Sequence, residues 1–183
     1  MDDAARFRAL FEVTFAPVRR YVHHRGVPPG RADDVVAETF LVAWRRLADV
    51  PADDPLPWLL AVARNAARNE LRGRRRYEGL LGRVPVALPT PPPADPPDHD
   101  LADVRAALDA LDEADRELLL LVAWDDLTPA QAARVLGCTP GTARVRLHRA
   151  RRRFAAALGK RSGADGQIPD ERHPDKELDR GRI

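Results

Sequence analysis

The chain reads as runs of helical periodicity separated by breaks rich in proline. Phe7, Leu10, Phe11, Val18, Tyr21 and Val22 recur at steps of three and four. That spacing predicts helix over most of Ala4–His24, with Pro17 expected to kink or split it. Gly26-Val27-Pro28-Pro29-Gly30 reads as a loop. Asp33–Leu47 carries Val35, Val36, Phe40, Ala43, Trp44 and Leu47 on one stripe, and its acids are expected in the first helical turn, where they complement the dipole. Phe40 and Trp44 are expected in the core. Asp49–Pro57 holds three prolines in nine residues and must be a loop. Trp58–Arg76 predicts a third long helix, apolar in its first half and nearly all Arg, Asn and Ala in its second. Further on, Leu101, Val104, Leu108 and Leu111 mark a helix. Asp112 is placed to cap the next, Glu113–Trp124. The run Leu118–Val122 is apolar on every side, so that helix should lie at the centre of its unit.

Pro85–Asp100 contains seven prolines and three aspartates with little to bury. Such a stretch cannot offset its own ordering entropy and is expected to be a stiff, extended linker. The predicted fold class is therefore all-α: two small helical domains joined by a Pro-rich linker, the second a four-helix unit. The expected boundaries are 1–77, linker 78–100, 101–158, and a charged, disordered tail 159–183.

The densest local signal is Leu127–Arg153. Thr128 can cap a helix with Pro129 at its first position, where a missing N–H costs nothing. Ala132, Ala133, Val135 and Leu136 follow at helical spacing, and Gly137 can supply the left-handed residue that ends the helix. Thr139 and Pro140 repeat the start. Helix, glycine turn and capped basic helix make a helix-turn-helix. On the second helix, Ala143, Leu147, Ala150, Phe154 and Leu158 form the inward stripe. Gly141, Thr142, Val145, His148, Arg149 and Arg152 fall opposite. Arg144 and Arg151 lie at the edge, where their stems cover apolar surface while their heads reach a phosphate. Val145 suits a thymine methyl and Arg149 a guanine in a major groove. The competing reading, a merely solvated amphipathic helix, leaves the double cap and the glycine turn unexplained.

Charge sharpens this picture. The formal net charge of +2 hides segregation: Pro55–Arg76 has 6 basic residues against 1 acidic, Tyr77–Leu127 has 3 against 12, and Thr128–Arg161 has 9 against none. Two basic blocks with an acidic one between them point to two contacts with a polyanion. Nucleic acid is favoured over a membrane surface, because neither block carries a wide Trp/Phe/Leu face. The single cysteine, Cys138, reads as a half-buried turn residue, and it leaves no disulfide scaffold. Asp2 and Asp3 stand where a signal peptide would have basic residues, so the expectation is a cytoplasmic protein. The five histidines are scattered, no Cys/His set has metal spacing and no glycine loop suits a phosphate. No metal, cofactor or enzymatic activity is therefore expected.

In the first basic block, Arg64, Arg68 and Arg75 share a helix face with Arg72 beside them, roughly 6 Å apart per turn, close to phosphate spacing along a strand. Asn65 and Asn69 form an i, i+4 pair on another face. Asparagine costs helix stability. The pair serves either base-edge hydrogen bonding or a local bond at a helix–helix contact, and the residues alone do not separate these.

Three stretches together resemble the extracytoplasmic-function sigma factors of bacterial RNA polymerase: DDVVAETFLVAW (Asp33–Trp44), PWLLAVARNAARNELRGRRR (Pro57–Arg76) and CTPGTARVRLHRAR (Cys138–Arg151). The resemblance covers about Phe7–Arg76 and Leu101–Leu158. It implies a promoter-recognition subunit that binds core polymerase and promoter DNA, duplex and melted, and is held by an anti-sigma protein. By resemblance, Asp34 and Glu38 are polar contacts to the polymerase. Asp49–Pro57 corresponds to a loop that captures a flipped base. Asn65 and Asn69 read the minus-ten element, while Arg64, Arg68, Arg72, Arg75 and Arg76 hold its phosphates. Thr142, Arg144 and Arg149 match contacts to the minus-thirty-five element, with Val145, His148 and Arg152 beside them. Val145 and His148 stand where relatives often carry Ser and an aromatic, so the usual promoter bases do not carry over. A stand-alone helix-turn-helix regulator is the alternative, and the asymmetric arginine helix speaks against it.

Overall fold

The computed structural model describes residues 2–80 and 99–164, and every regular element among them is helical. The first unit comprises α1 (Asp3–His23), α2 (Pro29–Arg45) and α3 (Leu56–Leu80), with a short 3-10 turn at Leu47–Asp49. The second comprises α4 (His99–Asp109), α5 (Glu113–Ala123), α6 (Pro129–Leu136) and α7 (Pro140–Ala164).

The first core forms where three apolar stripes meet. Val18, Tyr21, Val22, Ala43, Leu59 and Ala63 are fully buried, with Val35, Val36 and Phe40 nearly so. Burying each large side chain stabilises the fold by about 1.5–3 kcal/mol. Two threonines lie inside this core. The Thr14 hydroxyl donates to the Leu10 carbonyl at 2.6 Å and that of Thr39 to the Val35 carbonyl at 2.8 Å. Burial therefore leaves neither group unsatisfied. Phe7, Phe11, Phe15, Phe40 and Trp44 stack along the α1–α2 seam with ring centroids between 4.7 and 6.4 Å.

Several expectations are corrected. Pro17 does not split α1, which is helical from Asp3 to His23. The proline removes the N–H that would bond the Val13 carbonyl, and Val13 is 69% exposed, so a water can donate to that carbonyl in its place. The second helix begins at Pro29, so Pro29 and Gly30 belong to it rather than to the loop. Proline's fixed φ favours that first position. Asp33 and Asp34 then fall beyond the first turn. Phe40 is core as expected, but Trp44 is 46% exposed, its ring edge-on to Phe7. Helix α3 continues to Leu80 and α7 to Ala164, past the expected ends. Most of the linker, 81–98, and the tail from 165 lie outside the described residues.

In the second unit Leu118 and Leu121 of α5 are fully buried, with Leu119 nearly so, and α6 and α7 pack around them. Asp112 caps α5 by accepting the Asp115 N–H at 2.8 Å. Thr128 and Gln131 form a reciprocal capping box on α6. Gly137 takes φ +68, while the Cys138 N–H bonds the Ala133 carbonyl at 3.0 Å and the Gly137 N–H bonds that of Arg134 at 3.3 Å. That pair of bonds is a Schellman motif, which satisfies carbonyls the helix end would otherwise orphan. Thr139 accepts the Thr142 N–H at the start of α7. The inward stripe Ala143, Leu147 and Ala150 is buried.

The two units pack against each other, α3 lying along α6. Apolar side chains of both units meet at this junction in one continuous core, and the ion pairs and hydrogen bonds that accompany it bear directly on the site.

Candidate nucleic-acid interface

On α7 the side chains of Thr142, Arg144, Val145, His148, Arg149 and Arg152 are all exposed, Val145 by 53%. Arg144, Arg149 and Arg152 make no ion pair among the described residues. Two other arginines of the same helix turn inward. Arg153 bonds Asp115 at 3.0 Å and Asp112 at 3.2 Å, and Arg146 lies 3.8 Å from Asp115. Asp115 is 5% exposed and is neutralised by this pair. The helix thus separates arginines that hold the fold from arginines left free for a ligand.

On α3 the exposed residues Asn65, Asn69, Arg72 and Arg76 follow one another at steps of four, three and four, which places them on one stripe. Neither asparagine is at a helix–helix contact. The Asn69 carbonyl oxygen accepts from Arg72 at 2.6 Å, and Arg72 also donates to the Arg68 carbonyl at 3.3 Å. The side chain of Arg75 lies outside the described residues. Arg64 and Arg68 sit on the neighbouring face, toward α5. The Arg64 Nε lies 2.9 and 3.0 Å from the two Glu117 carboxylate oxygens, and Glu117 also accepts from the Tyr21 hydroxyl at 3.1 Å. Burial works against the Arg64 charge, but the hydrogen bond and charge of Glu117 more than offset it and hold the guanidinium above its ordinary value. Burial foremost, against the opposing charge of Arg25 and with Glu117 alongside, also pushes the Tyr21 hydroxyl up. Arg68 reaches Glu113 of the second unit at 3.5 Å.

The loop before α3 is tied down as well. Asp54 accepts from the Gln131 amide at 3.1 and 3.2 Å and pairs with Arg134, both on α6. At the end of α1, Asp125 of the second unit is buried between Arg25 at 3.5 Å and Arg20 at 3.8 Å. Burial raises its carboxyl above the ordinary range against the pull of both arginines. Arg25 lies over the Tyr21 ring at 4.3 Å.

Asp34 and Glu38 are exposed on the outer face of α2. Asp34 pairs with Arg31 at 3.2 Å, and Arg31 bonds Glu70 of α3 at 3.0 Å. Leu41, 46% exposed, continues their stripe, and the half-exposed Trp44 lies nearby. Sequence reasoning missed this apolar extension. The only available signal was that Leu41 falls three residues after Glu38. No group of three or more metal-ligating side chains comes together among the described residues, and none of their helices is long and apolar enough to cross a membrane.

A capped helix-turn-helix with an open basic recognition face defines a DNA-binding protein of the helix-turn-helix class. Residues 10–77 match the sigma-70 region 2 family and residues 101–154 match sigma-70 region 4. The ECF RNA polymerase sigma factor EcfG of Rhodopseudomonas palustris is 37% identical over 146 residues, covering 77% of this chain and 78% of that protein. Two solved structures are also similar. CnrH in complex with the cytosolic domain of CnrY has a TM-score of 0.60 at 28% identity, over 84% of this chain and 88% of that one. The sigma factor RpoE of Bartonella quintana in complex with the anti-sigma factor NepR has a TM-score of 0.65 at 25% identity, over 84% and 96%. The chain belongs to the extracytoplasmic-function group of the sigma-70 family, whose members are transcription initiation factors without enzymatic activity.

Proposed function

We propose that this chain docks on core RNA polymerase, reads the minus-thirty-five element as duplex and captures the minus-ten element as a single strand. The observation that carries this reading is the pair of unlike surfaces. One is an exposed basic helix suited to a major groove; the other is an exposed Asn–Arg stripe on a separate unit. On α7, Arg149 takes the base edge, Val145 and His148 flank it, and Thr142, Arg144 and Arg152 hold phosphates. On α3, Asn65 and Asn69 read unpaired bases while Arg64, Arg68, Arg72, Arg75 and Arg76 hold the strand. Flipping a base costs a few kcal/mol, and stacking of about 1–3 kcal/mol per base with phosphate contacts can offset it. Binding then favours the melted state. Asp34 and Glu38, with the apolar surface of Leu41 beside them, form the polymerase contact. The relatives solved with CnrY and NepR support an anti-sigma protein as inhibitory partner, acting in the cytoplasm.

The test is co-purification with core polymerase followed by transcription from random promoter fragments. Arg149→Ala should cost about 1–3 kcal/mol at the upstream element and relax base choice there. Equal loss on every sequence would mean that Arg149 touches only phosphate. Asn65→Ala should impair open-complex formation more than initial binding, and normal permanganate reactivity of the melted bases would refute its role.

A further inference from the structure

A cleft of about 770 Å³ opens between the end of α1, the middle of α3, and helices α4 and α5. Small-molecule sites span about 300–1,000 Å³, so the volume suits one ligand. Neither Asn65, Asn69 nor any exposed residue of the α7 recognition face lines it. Its floor is apolar, made by the half-buried Leu71, Leu108 and Leu120. At one end stands Trp124, 56% exposed although tryptophan is highly buried on average. Its one aromatic neighbour among the described residues is His24, with ring centroids 5.3 Å apart and planes nearly perpendicular. A large aromatic surface is therefore left open beside a cavity.

The charges of the wall are almost balanced, and the remainder is positive. Glu117 is taken by Arg64, Glu113 reaches Arg68 and Asp125 faces Arg25. Asp109 accepts from Arg116 at 2.8 Å, an exposed pair that water screens. Arg105 is exposed and pairs with no acid among the described residues. It lies one helical turn from Asp109, so Arg105 and Arg116 flank that position together. From Arg116 to Trp124 is two turns of α5, about 12 Å along the axis. That is the span of a nucleotide from its base to its phosphates.

We propose that this cleft binds a nucleoside diphosphate, its base stacked on Trp124 and its phosphates held by Arg105 and Arg116. Stacking is tolerant of base identity, and arginine forks match phosphate oxygens. Arg116 exchanges the Asp109 carboxylate for a phosphate, and Arg105 supplies the charge that no acid of the wall neutralises.

The experiment titrates the full chain with ADP and with GDP by calorimetry, using adenosine, inorganic pyrophosphate and a random-sequence single strand for comparison. Both nucleotides should bind with similar affinity, and adenosine and pyrophosphate should each bind at least roughly tenfold more weakly. Trp124→Ala should weaken ADP binding by roughly tenfold, while Trp124→Phe retains most of it. Arg105→Ala should weaken ADP binding by roughly three- to tenfold and leave adenosine unaffected. Trp124 and Arg105 are both exposed, and an unchanged thermal midpoint without ligand verifies that each variant is folded. No heat from either nucleotide at millimolar concentration overturns the proposal. So does pyrophosphate binding as tightly as ADP, which makes the cleft a simple anion site. A single strand that binds through Trp124 where free nucleotides do not also overturns it, and assigns the cleft to nucleic acid instead.

Discussion

Asp112 shows how one side chain sets both a helix start and a pH dependence. The backbone hydrogen bond from Asp115 foremost, with Arg153 assisting against slight burial, holds its carboxyl below the ordinary range. An acid depressed in the folded state contributes stability that is present above its unfolded value and lost as pH falls through the folded one. Asp112→Ala should cost about 1 kcal/mol at neutral pH through loss of the cap. Asp112→Asn keeps an acceptor and should lose less, and its difference from the parent should vanish in acid. Urea denaturation at both pH values measures this. The arginines make a second point at this scale. Arg146 and Arg149 are three residues apart in one basic run, yet one neutralises Asp115 and the other pairs with no acid among the described residues. Caps such as Asp112 and Thr128 were legible in the sequence because each bonds a group three residues away. The fate of each arginine was not, because the acids that select Arg146 and Arg153 lie on another helix.

Among the elements, the turn between α6 and α7 is the most strongly specified. Gly137 adopts φ +68, and a Cβ built there meets nothing within 4 Å. Gly137→Ala should therefore cost only the left-handed conformational term, about 1–2 kcal/mol, with no steric contribution. A lowered thermal midpoint with an unchanged helical circular-dichroism spectrum would show it, and an unchanged midpoint would contradict it. Asp126 at φ +56 is the one non-glycine with positive φ among the described residues, and it makes the turn that leads into α6. Helix α1 shows where element-level reading fails. Pro17 forbids one hydrogen bond, but Val18, Tyr21 and Val22 beyond it are buried against α2 and α3, and that packing keeps the helix in register. The start of α2 was missed for a local reason: Pro28-Pro29 reads as a loop unless the second proline is seen as a first helical residue.

For the whole molecule, the junction between the units links stability to their association. Tyr21 belongs to the first core, yet its hydroxyl donates across to Glu117. Tyr21→Phe keeps the ring packing and should cost about 1 kcal/mol. Combined with Glu117→Gln it should lose less than the sum of the two, since both remove the same contact. Denaturation of the four proteins in a double-mutant cycle tests this, and strict additivity would mean that the hydroxyl and the carboxylate act independently. The amino-acid sequence alone determined the helices, their caps, the glycine turn and the segregation of charge. Each of these depends on groups within a turn or two of one another along the chain. Tertiary structure alone decided that Trp44 is half-exposed, that Arg64 faces an acid 53 residues away and that Asp54 is held by α6. Periodicity tells which face of a helix seeks company, whereas the partner a charged group finds depends on how the helices pack.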